Sequence, residues 1–194
     1  MQAIAKSGWR LNVLLLLLVL ALMVASLVVG PAGLPARATL EALWTGDGVA
    51  GIIVREIRLP RTALAALIGA TLGFSGAALQ GLFRNPLAEP ALFGAPQAAA
   101  ATASFVSAFG FLPATSRLVP VAGILGALLS VGAMVLIAGP RTSLTVILLA
   151  GLALASFAGA MTALILNLAP NPFIALEVAF WLLGSLEDRS RDHL

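Results

Sequence analysis

The chain of 194 residues is 60% hydrophobic and 10% charged, against roughly 25% charged residues in a typical soluble domain, and its mean hydropathy of +1.06 asks for lipid as solvent. Its net charge of +3 comes from arginines scattered at segment ends, with no basic run to track a phosphate backbone, so nucleic-acid binding has little support. Without cysteine there is no disulfide and no thiolate metal site.

A bilayer core of about 30 Å is crossed by around 20 apolar residues in a helix. Five segments meet that length: residues 11–29, 62–83, 91–111, 119–138 and 144–168. The first follows Lys6 and Arg10, and Ala36-Arg37-Ala38 offers a small-residue cleavage pattern. The run outlasts a signal-peptide core of about 7–15 residues and further spans follow it, so a retained transmembrane helix is expected.

Residues 31–59 carry Arg37, Glu41, Asp47, Arg55, Glu56 and Arg58 and are expected in or outside the interface, with Trp44 as an anchor. Pro60 has the fixed φ of a first helical turn, so Arg58 and Arg61 are expected to flank a rigid helix start. Their guanidiniums suit either lipid phosphates or the carboxylates of a partner, and the residues alone leave both open.

Ala65, Gly69, Gly73, Ala77 and Gly81 recur every fourth residue in the second segment, as Gly151, Ala155, Gly159 and Ala163 do in the fifth. Small residues at this spacing let helices approach closely in lipid, and packing within one bundle is preferred to a dimer seam. The stiff polar turn Arg84-Asn85-Pro86, continuing to Glu89-Pro90, ends the second segment. Gln80 and Asn167 are uncharged amides at membrane depth, read as interhelical bonds in preference to pathway lining.

Gly73-Phe74-Ser75-Gly76 resembles the nucleophile site of rhomboid-type proteases, but no span carries a histidine to act as base. Ser75 therefore reads as a packing residue that bonds its own backbone. The sole lysine, Lys6, follows no glycine-rich loop, so there is no P-loop and any ATP-driven process needs a separate ATPase. His193 is the sole histidine and gives no metal cluster.

Residues 173–186, with Glu177 and Trp181, are too few to cross and read as an interfacial or re-entrant helix before a polar tail. Charge does not fix the orientation. With the first end inside, Lys6, Arg10, Arg84 and Arg141 are cytoplasmic while Arg37, Arg55, Arg58, Arg61, Arg117, Arg189 and Arg191 are outside, against the positive-inside rule.

Six motifs occur in one order: Arg-Leu-Pro-Arg-Thr at 58–62, Gly-Ala-x-Leu-x-x-Ser-Gly-Ala at 69–77, Leu-Gln-Gly at 79–81, Arg-Asn-Pro-Leu-Ala-Glu-Pro at 84–90, Leu-Leu-Ala-Gly-Leu-Ala-Leu at 148–154 and Phe-Trp-Leu-Leu-Gly-Ser-Leu at 180–186. Together they resemble permease subunits of the iron-siderophore, haem and vitamin B12 class of ABC importers. The resemblance implies an all-α polytopic membrane protein of five spans and a short interfacial helix, like the first half of a ten-helix permease. It implies a bacterial cytoplasmic (inner) membrane location with the amino terminus in the cytoplasm. Arg58 and Arg61 then face acidic residues of a periplasmic or lipid-tethered substrate-binding protein, and Arg84, Asn85, Pro86, Glu89 and Pro90 form a cytoplasmic turn. The fifth helix helps line a route between this chain and a second permease, as a homodimer. The chain itself binds no cofactor, and ATP acts through ABC ATPase subunits.

Two departures accompany the likeness. Gly94-Ala95-Pro96-Gln97-Ala98 stands where the family commonly has a Val-Ser-x-Gly-Ala type segment, although Pro96 fits the first turn of the third helix. The chain also stops before the later helices and the ATPase-coupling loop. The expectation is a single transmembrane domain, 1–194, that is a fragment, a truncated product or half of a split permease. A small nontransporting membrane assembly protein is the alternative.

Overall fold

A computed structural model describes residues 2–113, 116–139 and 142–186, and of residues 2–7 only the backbone. Arg141, Arg189, Arg191, His193 and the side chain of Lys6 lie outside the described residues. The order is α1 (Gln2–Val28), α2 (Ala36–Thr45), α3 (Gly48–Ile52), a π-helical stretch (Ile53–Arg58), α4 (Leu59–Phe83), a 3-10 turn (Pro90–Phe93), α5 (Ala95–Ala108), α6 (Leu118–Ala138), α7 (Leu144–Leu168) and α8 (Pro172–Leu182). Two compact units divide the chain: Met1–Ala70 with Leu186–Leu194, and Thr71–Ser185.

In the first unit, the leucine-rich run Gly8–Val28 of α1 buries no side chain, as suits lipid-facing groups. It ends at Gly30-Pro31, residues that cannot extend a helix. Ser26 Oγ and Thr62 Oγ1, 2.9 Å apart, tie it to the start of α4. The amphipathic helix α2 buries Thr39 and Ala42 and turns Leu40 and Trp44 outward. Gly46, with φ of 72°, stops it and donates its N–H to Ala42 O.

The structure corrects the expected helix start at Pro60. Helix runs without a break from Gly48 to Phe83, 36 residues, which is about 50 Å and longer than the hydrocarbon core. Arg55, Glu56 and Arg58 lie in its first third, which makes that end the one suited to water. Pro60 lies inside this run and is fully buried. An interior proline lacks a donor and crowds the carbonyl four residues back. The π stretch immediately before it supplies the irregular turn that such a residue needs.

In the second unit, α4 ends in a Schellman arrangement: Arg84 adopts φ of 49° and Asn85 N–H donates to Gln80 O at 3.2 Å. Asn85 Oδ1 then accepts from Leu87 N at 2.9 Å, fixing the turn around Pro86. Gly94, with φ of 72°, breaks the expected third span into the 3-10 turn and α5. At 14 residues α5 is about 21 Å long, short of a full crossing. Four helical runs remain long and apolar enough to cross: Gly8–Val28, Gly48–Phe83, Leu118–Ala138 and Leu144–Leu168. Pro96 sits in the first turn of α5, as expected from its fixed φ.

Close approach builds the rest of this unit. On α6, Val119, Gly123, Gly126, Ser130 and Met134 form the buried stripe, and a Cβ on Gly126 would meet Thr102 Oγ1 and Ala98 O of α5. Phe93, Met134 and Ala150 form a small core with Leu79 and Phe83 packed against it. The Phe83 and Phe93 rings stack at 5.2 Å. Asn171 caps the short α8 by accepting from Phe173 N at 2.9 Å, with Pro172 as its first residue.

Candidate functional site

Arg55, Arg58 and Arg61 recur every third residue through the π stretch into α4, and each donates to carbonyls of a different segment. Arg55 Nη2 reaches Leu43 O and Trp44 O, both at 2.7 Å, with Nε on Leu43 O at 3.1 Å. Arg58 Nη1 reaches Leu27 O and Val28 O, both at 2.8 Å. Arg61 Nε reaches Leu186 O at 3.2 Å. The first two sets of acceptors are the last carbonyls of α2 and α1. Those groups lack intrahelical partners and carry about half a negative charge, so a guanidinium neutralises both deficits.

Arg58 and Arg61, the pair expected to face a binding protein, differ in exposure. Arg58 is only 8% exposed, because its charge is spent on the end of α1. Arg61 is half-buried. Arg55, which the sequence reading left in the interface without a role, caps α2. The signal for both caps is a glycine two residues beyond the last bonded carbonyl, Gly30 after Val28 and Gly46 after Trp44. A Cβ at Gly30 would lie 2.7 Å from Arg58 Nη2, and one at Gly46 would meet Arg55 Nη1.

Small-residue faces are used unevenly. Gly69, Gly73 and Gly81 of α4 have open space where a Cβ would stand, and Ala65 and Ala77 are exposed. On α7, Gly151 packs so tightly that a Cβ would lie 2.5 Å from Leu92 O, while a Cβ on Gly94 would lie 2.9 Å from Ala155 N. Gly159 and Ala163 are exposed. The buried stripe of α7 is Ala150, Gly151, Ala158 and Thr162, so it rotates off the expected four-residue ladder after its first step.

Gln80 and Asn167 lie on exposed faces of α4 and α7. Ser75 Oγ donates to Thr71 O at 2.8 Å and also lies 3.1 Å from Leu72 O, the back-bonding expected of a helix serine. Glu89 is exposed, ahead of Pro90 in the 3-10 turn. Between α5 and α7 an apolar groove of about 390 Å³ is lined by Thr102, Phe105, Phe109, Met161, Ile165 and Leu168 among others. The Thr102 hydroxyl is bonded to Ala98 O, leaving a surface suited to methylene and aromatic groups.

Long apolar helices, exposed leucines and an arginine-clamped edge define a polytopic α-helical membrane protein. Its residues 16–194 match the model of the FecCD transport family, and the chain belongs to that family. It is 38% identical over 175 residues to the achromobactin transport system permease protein CbrC of Dickeya dadantii, covering 89% of this chain and 50% of that one. Identity is 40% over 193 residues with the ferric enterobactin transport system permease protein FepD of Escherichia coli, covering 97% of this chain and 55% of that one. A solved metal-chelate type ABC transporter in an inward-facing conformation superposes with a TM-score of 0.75 at 27% identity, over 94% of this chain and 56% of that one. The chain thus spans about half the length of these relatives.

Proposed function

We propose that this chain is the amino-terminal part of the permease subunit of an ATP-driven importer for iron-siderophore, haem or cobalamin-type substrates. The observation that carries the reading is the family match running through residues 16–194 in one register. Relatives named for achromobactin and ferric enterobactin transport favour iron chelates first. No observation favours a nontransporting assembly protein.

On this reading the chain lies in the bacterial inner membrane with its amino terminus in the cytoplasm. A periplasmic or lipid-tethered binding protein docks on the edge that carries Arg58 and Arg61, presenting carboxylates to the guanidiniums. The turn of Arg84 to Pro90 faces the cytoplasm, and α7 lines a route beside a second permease. ATPase subunits bind ATP and supply the work, so the chain contributes helices and docking contacts and breaks no bonds.

The test is uptake by the complete permease reconstituted with its ATPase and binding protein. Accumulation of a labelled ferric siderophore, haem or cobalamin that needs both ATP and binding protein is the expected result. An assembled complex that moves none of the three would overturn the reading.

A further inference from the structure

We propose that Leu40 and Trp44, the outward row of α2, form a lipid-binding surface that sits in the headgroup region of the leaflet where α1 ends and fastens the α1–α4 connection there. Only the membrane class of the protein is needed for this, so a failed uptake test would leave it untouched.

Helix α2 has three kinds of face. Thr39 and Ala42 are buried against its own unit. Leu40 and Trp44, one turn apart, share a second face on which they are 54% and 86% exposed. Arg37 and Glu41, also one turn apart, run beside that row as an exposed ion pair, Nε to Oε1 at 2.9 Å. A helix with one side on protein, one apolar side and one charged side matches the boundary between lipid and water. In water the bare indole of Trp44 would leave its apolar area unused. At headgroup level the ring is buried while its N–H stays hydrated.

Levels along the first unit put this row at that boundary. The apolar run Gly8–Val28 is 21 residues long, about 32 Å, which fills a hydrocarbon core of about 30 Å. Val28 therefore stands near the edge of the hydrocarbon. The Ser26–Thr62 hydroxyl pair, 2.9 Å apart, carries the same level across to the long helix near Pro60. Arg55 precedes Pro60 by five residues, about 7 Å further out at the rise of an α-helix, and its Nη2 donates to Trp44 O at 2.7 Å. Headgroups occupy about 5–7 Å on each side of the core. The Trp44 backbone is thus held at headgroup height by a charged bond.

Continuity names the occupant. Only residues 29–35 separate the lipid-facing leucines of α1 from α2, and Arg37 has the long stem and charged head that reach from such a level to phosphate or water. A protein partner covers an apolar row that stands clear of the bilayer, whereas a row at headgroup height meets lipid first.

The test uses the complete permease in nanodiscs of phosphatidylethanolamine and phosphatidylglycerol. Residues 1–194 contain no cysteine, so Leu40→Cys and Arg37→Cys each carry one nitroxide once cysteines elsewhere in the permease are replaced by serine. Collision with oxygen, relative to a water-soluble nickel chelate, should be about fivefold or more higher at residue 40 than at 37, the contrast between a site some 5–10 Å into the interface and one in water. Saturating binding protein should leave the ratio at 40 unchanged. Equal ratios at the two positions overturn the proposal. So does a ratio at 40 that is water-like until the binding protein covers it, which would make the row a protein contact. Wild-type permease gives a second reading that needs no substitution: phosphatidylcholine bearing a diazirine on its upper acyl chain is added to the nanodiscs and photolysed. Trypsin cuts after Arg37 and Arg55, and adducts at Leu40 or Trp44 are expected in the peptide 38–55. Adducts in the α1 peptide with none at residues 40–44 overturn the proposal as well.

Discussion

Gly30 lies beneath the guanidinium of Arg58 as Gly46 lies beneath that of Arg55, and in both places a methyl group would occupy the arginine's own volume. The two glycines differ in backbone. Gly46 adopts φ of 72°, where an L side chain is strained. Alanine at either site makes the end of a flexible arginine side chain shift, a small cost by itself. Gly46→Ala adds about 1–2 kcal/mol of left-handed strain. Thermal unfolding of the two variants should rank Gly46→Ala below Gly30→Ala, and equal melting points would contradict the backbone part of the argument.

Gly151 and Gly159 look equivalent in the sequence yet occupy opposite environments. A Cβ at Gly151 would stand 2.5 Å from Leu92 O, and a backbone carbonyl cannot swing aside as a side chain can. Gly151→Ala should cost about 3 kcal/mol or more, the upper range for overpacking. Gly159 has open space around it, so alanine there should be neutral or raise stability by up to about 1 kcal/mol through helix propensity. The melting points of the two variants in one detergent provide the check.

Residue order exposed the helices of this fold far better than their joints. Leucine and alanine runs bounded by proline and glycine mark α1, α6 and α7 because lipid imposes a minimum length on any crossing helix. Pro60 misled because a proline near a basic segment suits a helix start as well as a π-accommodated interior. The third span misled because Gly94 fits a membrane helix by composition, whereas its φ of 72° and the close approach of Ala155 N and Gly151 O appear only in three dimensions. Arginine spacing in the 55–61 segment was visible, but the acceptors of Arg55 and Arg58 lie 11–31 residues earlier, beyond the reach of local pattern. The ladder on α4 was legible as a small-residue face, and open space stands where a Cβ on Gly69, Gly73 or Gly81 would be.

Ser75 distinguishes chemistry from packing. Its hydroxyl is occupied by Thr71 O and Leu72 O one turn back, and a nucleophile needs a base in place of two carbonyls. Ser75→Ala should leave stability within about 0.5 kcal/mol, since back-bonding contributes little to a helix. Serine-directed phosphonate probes should fail to label the wild type. Covalent labelling at Ser75 would reinstate the enzymatic alternative.

Arg84 holds a conformation that glycine would hold without strain. Its φ of 49° makes it the left-handed residue of the Schellman turn that closes α4, and no other non-glycine residue among those described has positive φ. A side chain there costs about 1–2 kcal/mol, so Arg84→Gly should raise the melting temperature by a few degrees, at about 2–4 °C per kcal/mol for a chain of this size. The guanidinium is exposed and removing it vacates no packed volume. If the turn, on the cytoplasmic side as proposed, meets the ATPase there, the same variant in the complete importer should lower ATP-dependent uptake while unfolding at higher temperature. Arg84→Asn also tolerates the left-handed region and also lacks the charge, so it should keep much of the stability gain and lower uptake as the glycine variant does. A rise in stability with uptake unchanged would assign Arg84 no part in coupling and leave only the conformation of the turn.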